Sequence, residues 1–205
     1  MRNIYLSLLC VLIFAVPIQA DEAGEVRDLL QGKIDIVLAL LQDKELDKAH
    51  RNEQITDIVV PLFDYKAMAR LSLGKKHWST LSQEQQTMFS DLFIKRLQNS
   101  YLDKLDLFSD EKILYGEPLA KGKKVHMPTT LVSKDSRIEM LYKFYRSKKG
   151  WKIYDVEIGG VSVIQTYRSQ FDEVLSEGTI DDLLEKLKTD GAFVIPAPDS
   201  QSSTD

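Results

Sequence analysis

Three histidines, one cysteine and an adjacent tyrosine–aspartate pair are the residues of this chain that could carry chemistry of their own. His50, His77 and His126 form no i,i+3 or i,i+4 pair, and neither HExxH nor a related metal-ligand spacing occurs. Surface or strand positions are expected for all three. Cys10 stands alone, which excludes an internal disulfide framework, a Cys-rich zinc site and CxxC redox chemistry. Gly160-Val161-Ser162 opens like a nucleophile elbow, but Ile164 occupies the place of the closing glycine. Ser162 reads more simply as a helix N-cap. No glycine cluster joins a strand to a helix with the spacing of a phosphate loop or a dinucleotide fingerprint. Tyr154-Asp155 is the surviving catalytic possibility, because a buried Asp and Tyr under a curved sheet can polarise a substrate carbonyl. Neighbouring strand residues point to opposite faces, so the two share a pocket only if a bulge intervenes. The competing reading is one core tyrosine and one aspartate that faces outward or pairs with a helix.

A wide apolar sheet face stands out more clearly than any catalytic set. Strand parity places Val125, Met127, Leu131, Ile138, Met140, Tyr142, Phe144, Tyr154, Val156 and Ile158 on it, with Val132, Leu141, Tyr145 and Ile153 on the reverse. Core packing explains such a face; so does a pocket for a flexible apolar ligand, to which thioethers and aromatic rings adapt well, and so does a lipid-free adaptor whose sheet face docks a partner protein. Lys121, Lys123, Lys124, Arg146, Lys148 and Lys149 gather at one rim of the same sheet, either as solubilising turn residues or to attract an anionic headgroup or an acidic partner surface. With 27 basic and 31 acidic residues and a formal charge of −4, the chain lacks the positive excess that bulk nucleic-acid binding needs.

The elements that must hold this face follow from periodicity. The 205 residues, 43% hydrophobic and 28% charged, suffice for one domain, expected over 21–195. Val26, Leu29, Leu30, Ile34, Val37, Leu38 and Leu41 make an amphipathic helix of Glu25 to Leu41. A second helix is expected from Gln54 to Val60, ending at Pro61, and a third, capped by Asp64, carries Met68, Leu71 and Leu73 up to Gly74. Ser82-Gln83-Glu84-Gln85 has the form of a capping box, and Met88, Phe89, Leu92, Phe93, Leu97, Tyr101 and Leu105 continue the stripe. At Lys112 the period changes to two. Four strands, around 113–115, 125–131, 138–145 and 151–158, are joined by short turns and predict an antiparallel meander. Pro128 suggests that its strand lies at an edge or contains a bulge. Helical spacing returns through Ile164, Tyr167 and Phe171, and Thr179 caps a last helix with Ile180, Leu183, Leu184 and Leu187. Residues 196–205 have nothing to bury and read as a disordered tail.

Residues 1–20 read as an export signal. Arg2 supplies the charge, Ile4 to Val16 the apolar segment, and Pro17 and Ala20 lead to cleavage before Asp21. The apolar run is shorter than the ~20 residues that span a bilayer. Cleavage removes Arg2 and makes the mature chain one unit more negative than −4.

Several motifs resemble the MlaC-type periplasmic phospholipid-binding proteins, the toluene-tolerance auxiliary family. They are Phe63-Asp64-Tyr65-Lys66-Ala67-Met68-Ala69, Leu73-Gly74, Trp78, Leu81-Ser82-Gln83-Glu84-Gln85, and the block from Tyr154-Asp155-Val156 through Gly160-Val161-Ser162 and Tyr167-Arg168 to Phe171. The resemblance implies an α+β fold of the nuclear-transport-factor-2 and cystatin-like kind, a curved four-stranded antiparallel sheet enclosed by helices around an apolar cavity. It implies no catalytic residues, no metal and no cofactor, with phospholipid as cargo held by its tails. It also implies a periplasmic location and two partners, an outer-membrane lipoprotein–porin complex and an inner-membrane ABC transporter with an MCE-domain subunit, together supporting outer-membrane lipid asymmetry. A monomer is expected. At ~0.8 kcal/mol per CH₂, on the order of thirty methylenes set a barrier of roughly 20 kcal/mol to crossing water, which an apolar sleeve removes. On strand parity the ten residues of the apolar face are the candidate lipid contacts.

Overall fold

The computed structural model describes residues 19–102, 112–134, 136–189 and 191–193, and its architecture is α+β. Helices α1 (Gln19–Gln42), α2 (Lys48–Val59), α3 (Tyr65–Trp78) and α4 (Gln83–Leu102) precede the sheet, with one 3-10 turn at Val60–Leu62. Strands β1 (Lys112–Tyr115), β2 (Leu119–Lys121), β3 (Lys124–Val132), β4 (Arg137–Ser147), β5 (Gly150–Ile158) and β6 (Val161–Ser162) follow, and α5 (Val163–Glu177) and α6 (Ile180–Lys188) complete the order. The expected export signal lies outside the described residues except for Gln19 and Ala20, which begin α1. The expected tail lies wholly outside them.

The helix ends obey local chemistry. Asp64 caps α3 by accepting from the amide of Ala67, Ser82 and Gln85 exchange both bonds of a capping box, and Thr179 does the same with Asp182 at α6. Gly74 does not end α3, as the sequence suggested. It kinks it, at φ 74° and ψ 155°, and the chain then continues to Trp78. Leu71 is 40% exposed, so the buried face of α3 is carried by Met68, Ala69 and Leu73.

The meander is present as β1-β3-β4-β5, but two further short strands extend it. β2 pairs with β3 and β6 with β5, so the open sheet has six strands where four were expected. Runs of two and three residues between turns carry too little alternation to register as strands. Pro128 proves to lie inside the sheet. β3 pairs with β2 up to His126 and with β1 from Thr129, and the chain leaves the ladder between them, where the amide of Gly116 donates to the carbonyl of Pro128. In an antiparallel ladder a residue's N–H and C=O point to the same neighbour, so the amide that proline lacks would have faced this break.

A bulge in β5 resets its parity. Lys143 pairs with Asp155 but Phe144 pairs with Ile153, leaving Tyr154 as the extra residue. Ile153, Val156 and Ile158 therefore share the helix-facing side with Phe144, Tyr142 and Met140. Behind this face, Phe89 and Phe93 of α4, Tyr167 and Phe171 of α5 and Phe193 interlock with ring centroids 5.1–6.3 Å apart. The buried Arg96 guanidinium donates to the carbonyls of Thr189 and Phe193 and ties the segment after α6 to α4.

Candidate functional site

The first half of α1 is fastened to one end of the sheet. Glu25 accepts from the indole N–H of Trp151 at 2.9 Å and from Arg146 at 2.7 Å, and Arg27 donates to the carbonyl of Gly116 at 2.6 Å. The indole bond, with Arg146 adding to it, holds the Glu25 carboxyl below its ordinary pKa. From Leu30 onward the same helix roofs a cavity of about 310 Å³, at the low end of the roughly 300–1,000 Å³ typical of ligand pockets. Leu30, Ile34, Val37, Leu38 and Leu41 line it at i, i+4, i+7, i+8 and i+11, one stripe of the helix. Val59, Val60, Leu62 and Phe63 close one side, Tyr65 and Met68 of α3, Leu97 and Gln98 of α4, and Val163 of α5 another. The floor is sheet: Ile113, Leu131, Met140, Tyr142, Ile153, Val156 and Ile158.

Five of the ten residues expected on this face by strand parity line the cavity: Leu131, Met140, Tyr142, Val156 and Ile158. Val125, Met127, Ile138 and Phe144 share their side of the sheet but are packed into the core and do not reach the cavity. Tyr154 belongs to the other side. The bulge turns it outward, where its ring meets Tyr145 at 6.1 Å and lies under the ammonium of Lys124 at 4.6 Å. Ile153, expected on the reverse, takes the inward place. The helical lining of α1 was visible as an amphipathic stripe; nothing in the stripe distinguishes a helix over a cavity from one over a filled core.

The wall is almost wholly apolar. Its hydroxyls belong to Tyr65 and Tyr142, and burial pushes both up to about 12, so neither ionises at neutral pH. Lys33 and Gln98 are the other polar members of this lining among the described residues. Such a wall can hold hydrocarbon.

Asp155 is 5% exposed and engaged elsewhere. Its carboxylate accepts from Lys143 at 2.9 Å, from the hydroxyl of Ser162 at 2.8 Å and from the amide of Ile164 at 3.2 Å, while Ser162 caps α5 by accepting from Gln165 at 3.1 Å. The two most suggestive polar residues of the sequence thus join to start a helix. Asp64 has a similar role, receiving the hydroxyl of Tyr145 in a short contact while its own amide donates to Ile153. The histidines are scattered: His50 meets Glu53, His77 meets Asp172 at 3.2 Å, and His126 approaches the Tyr154 hydroxyl at 3.5 Å. The basic rim exists at the β2–β3 and β4–β5 turns, but none of its six residues lines the cavity. Arg146 is held by Glu25 and stacks over Trp151.

Comparison with known proteins agrees with this geometry. The family model described as MlaC protein matches residues 31–189. A solved structure of a phospholipid-binding protein from Ralstonia solanacearum, in complex with a phospholipid, is similar with a TM-score of 0.71 and 27% identity, covering 79% of this chain and 94% of the other. No curated protein matches.

Proposed function

Because the chain belongs to the MlaC protein family, we propose that it is a periplasmic phospholipid carrier that encloses acyl chains in the cavity under α1 and leaves the headgroup in water. The observation that carries this reading is the cavity itself, an almost wholly apolar space of about 310 Å³ walled by helices on one side and sheet on the other. The similar structure from Ralstonia solanacearum, a phospholipid-binding protein in complex with a phospholipid, supports it. The proposal includes export, with cleavage before Asp21, and no helix among the described residues is long and apolar enough to cross a membrane. It also includes lipid exchange with an outer-membrane lipoprotein–porin complex and an inner-membrane ABC transporter bearing an MCE-domain subunit, in support of outer-membrane lipid asymmetry. A carrier with so apolar a sleeve releases its cargo slowly alone, so delivery requires a partner that favours the open form. Catalysis is not part of the proposal, since Asp155 is committed to α5 and Tyr154 faces away from the cavity.

Native mass spectrometry of the chain from Asp21 onward, followed by organic extraction, tests the reading. Stoichiometric phospholipid is expected. Met140→Glu places a charge against the cargo and should lower occupancy at least tenfold, whereas Tyr154→Ala, on the outer face, should leave it unchanged. A wild-type protein that neither copurifies with lipid nor takes it from phospholipid vesicles would overturn the proposal.

A further inference from the structure

The cavity wall contains one charged side chain, Lys33, and one side-chain amide, Gln98. Lys33 sits in α1 on the stripe between Leu30 and Val37, and Gln98 follows Leu97 in α4. Both are half-buried, and among the described residues neither has an ion-pair or hydrogen-bond partner. No local partner is available to Lys33, because the residues three and four positions away are Leu29, Leu30, Ile36 and Val37. An ammonium in an apolar wall must therefore lay its stem along the lining and carry its charge to the open edge. A lysine that served only solubility would sit away from the cavity, as the exposed Asp28 does. This one lines the cavity.

We infer that Lys33 and Gln98 form a headgroup site at the edge of the cavity, in which the ammonium contacts the phosphate oxygens of a phosphodiester lipid and the amide hydrogen-bonds the glycerol or ester oxygens. The inference rests on the carrier reading and deepens it. An ammonium binds phosphate as a point charge, so it selects for the phosphate common to glycerophospholipids and not for one headgroup alcohol. It also separates headgroup recognition from the basic rim of Lys121, Lys123, Lys124, Lys148 and Lys149, which lies at turns that contribute nothing to the cavity.

The test offers delipidated protein equal amounts of phosphatidylglycerol and of diacylglycerol with the same acyl chains, and counts the bound species by native mass spectrometry. Wild type should favour phosphatidylglycerol roughly tenfold. Lys33→Gln should take both lipids about equally, Lys33→Arg should restore the preference, and Gln98→Ala should weaken it by less. Excess inorganic phosphate should leave loading unchanged. The site is refuted if Lys33→Gln keeps the wild-type preference, if it loses both lipids alike, or if inorganic phosphate displaces the lipid. Equal uptake of both lipids by wild type would refute the headgroup site and leave the carrier standing; uptake of neither would remove the carrier reading itself.

Discussion

Asp155 shows how a residue with catalytic potential can be fully occupied by architecture. Its carboxylate joins Lys143 of β4 to the first amides of α5, and Lys143 is also held by Glu157 at 2.5 Å. Burial alone would lower the Lys143 pKa, but the hydrogen bonds to Glu157 and Asp155 prevail and hold it above its ordinary value. Asp155→Ala removes a cap and half of a partly buried ionic cluster, and should cost about 2–3 kcal/mol in urea unfolding, the low end for a broken buried pair because Glu157 remains. His126 gives the pH dependence. Burial first, then Lys121 and Lys143, depress its pKa below 6.5, against the attraction of Glu157. Between the folded pKa and 6.5 the unfolded chain takes up a proton that the folded chain refuses. This histidine therefore makes stability fall as pH drops through that window, and adds nothing above it. His126→Asn should unfold at the same urea concentration as wild type at pH 8 and at a higher one at pH 5, unless the histidine is not depressed at all.

At the scale of elements, the kink in α3 explains why a glycine and an arginine far apart in sequence belong together. A Cβ on Gly74 would lie 3.1 Å from the guanidinium of Arg168, and its φ of 74° is one that L side chains rarely adopt. Gly74→Ala should destabilise the fold by about 1–2 kcal/mol through backbone strain plus crowding. In the Arg168→Ala background the crowding vanishes and only the strain remains, so a double-mutant cycle reads a positive coupling; strict additivity would mean the guanidinium yields freely. Element-level patterns were largely legible. The stripe of α1, that of α4 from Phe89 to Leu97, the caps at Asp64, Ser82, Ser162 and Thr179 and the meander are all local consequences of residue order, whereas Met88 is 43% exposed and Leu105 lies outside the described residues. Strand parity puts Tyr154 and Ile153 on the wrong faces because a bulge depends on how β4 and β5 align, and either strand alone reads as regular alternation.

In the whole molecule the sheet is divided between two uses. Toward the basic turns, Val125, Phe144 and Trp151 are sealed under the anchored start of α1; farther along, the face opens beneath Leu30 to Leu41. Cargo in this space replaces missing wall contacts and binds only the folded state. Lipid-loaded protein should therefore melt at a higher temperature than stripped protein, by an increment that grows with the logarithm of free lipid. Calorimetry of both forms checks this, and Met140→Glu should abolish the increment. An identical melting temperature with lipid bound would mean that the lipid sits on the surface.

The amino-acid sequence by itself determined which side of most helices and strands is apolar, where the capped helices begin, and that HExxH spacing, a second cysteine and a phosphate-loop glycine cluster do not occur in it. Those properties depend on neighbours within a few positions. Tertiary structure alone decided that five of the ten residues of the apolar face are cavity wall, four are core and one, Tyr154, lies on the reverse, that Asp155 and Ser162 share one helix start, and that Lys33 and Gln98 meet the same cavity. The physical reason is that periodicity reports which surface must leave water. Whether protein atoms or a ligand then fill the space depends on how elements distant in sequence are spaced, and on strand alignments to which no single segment is sensitive.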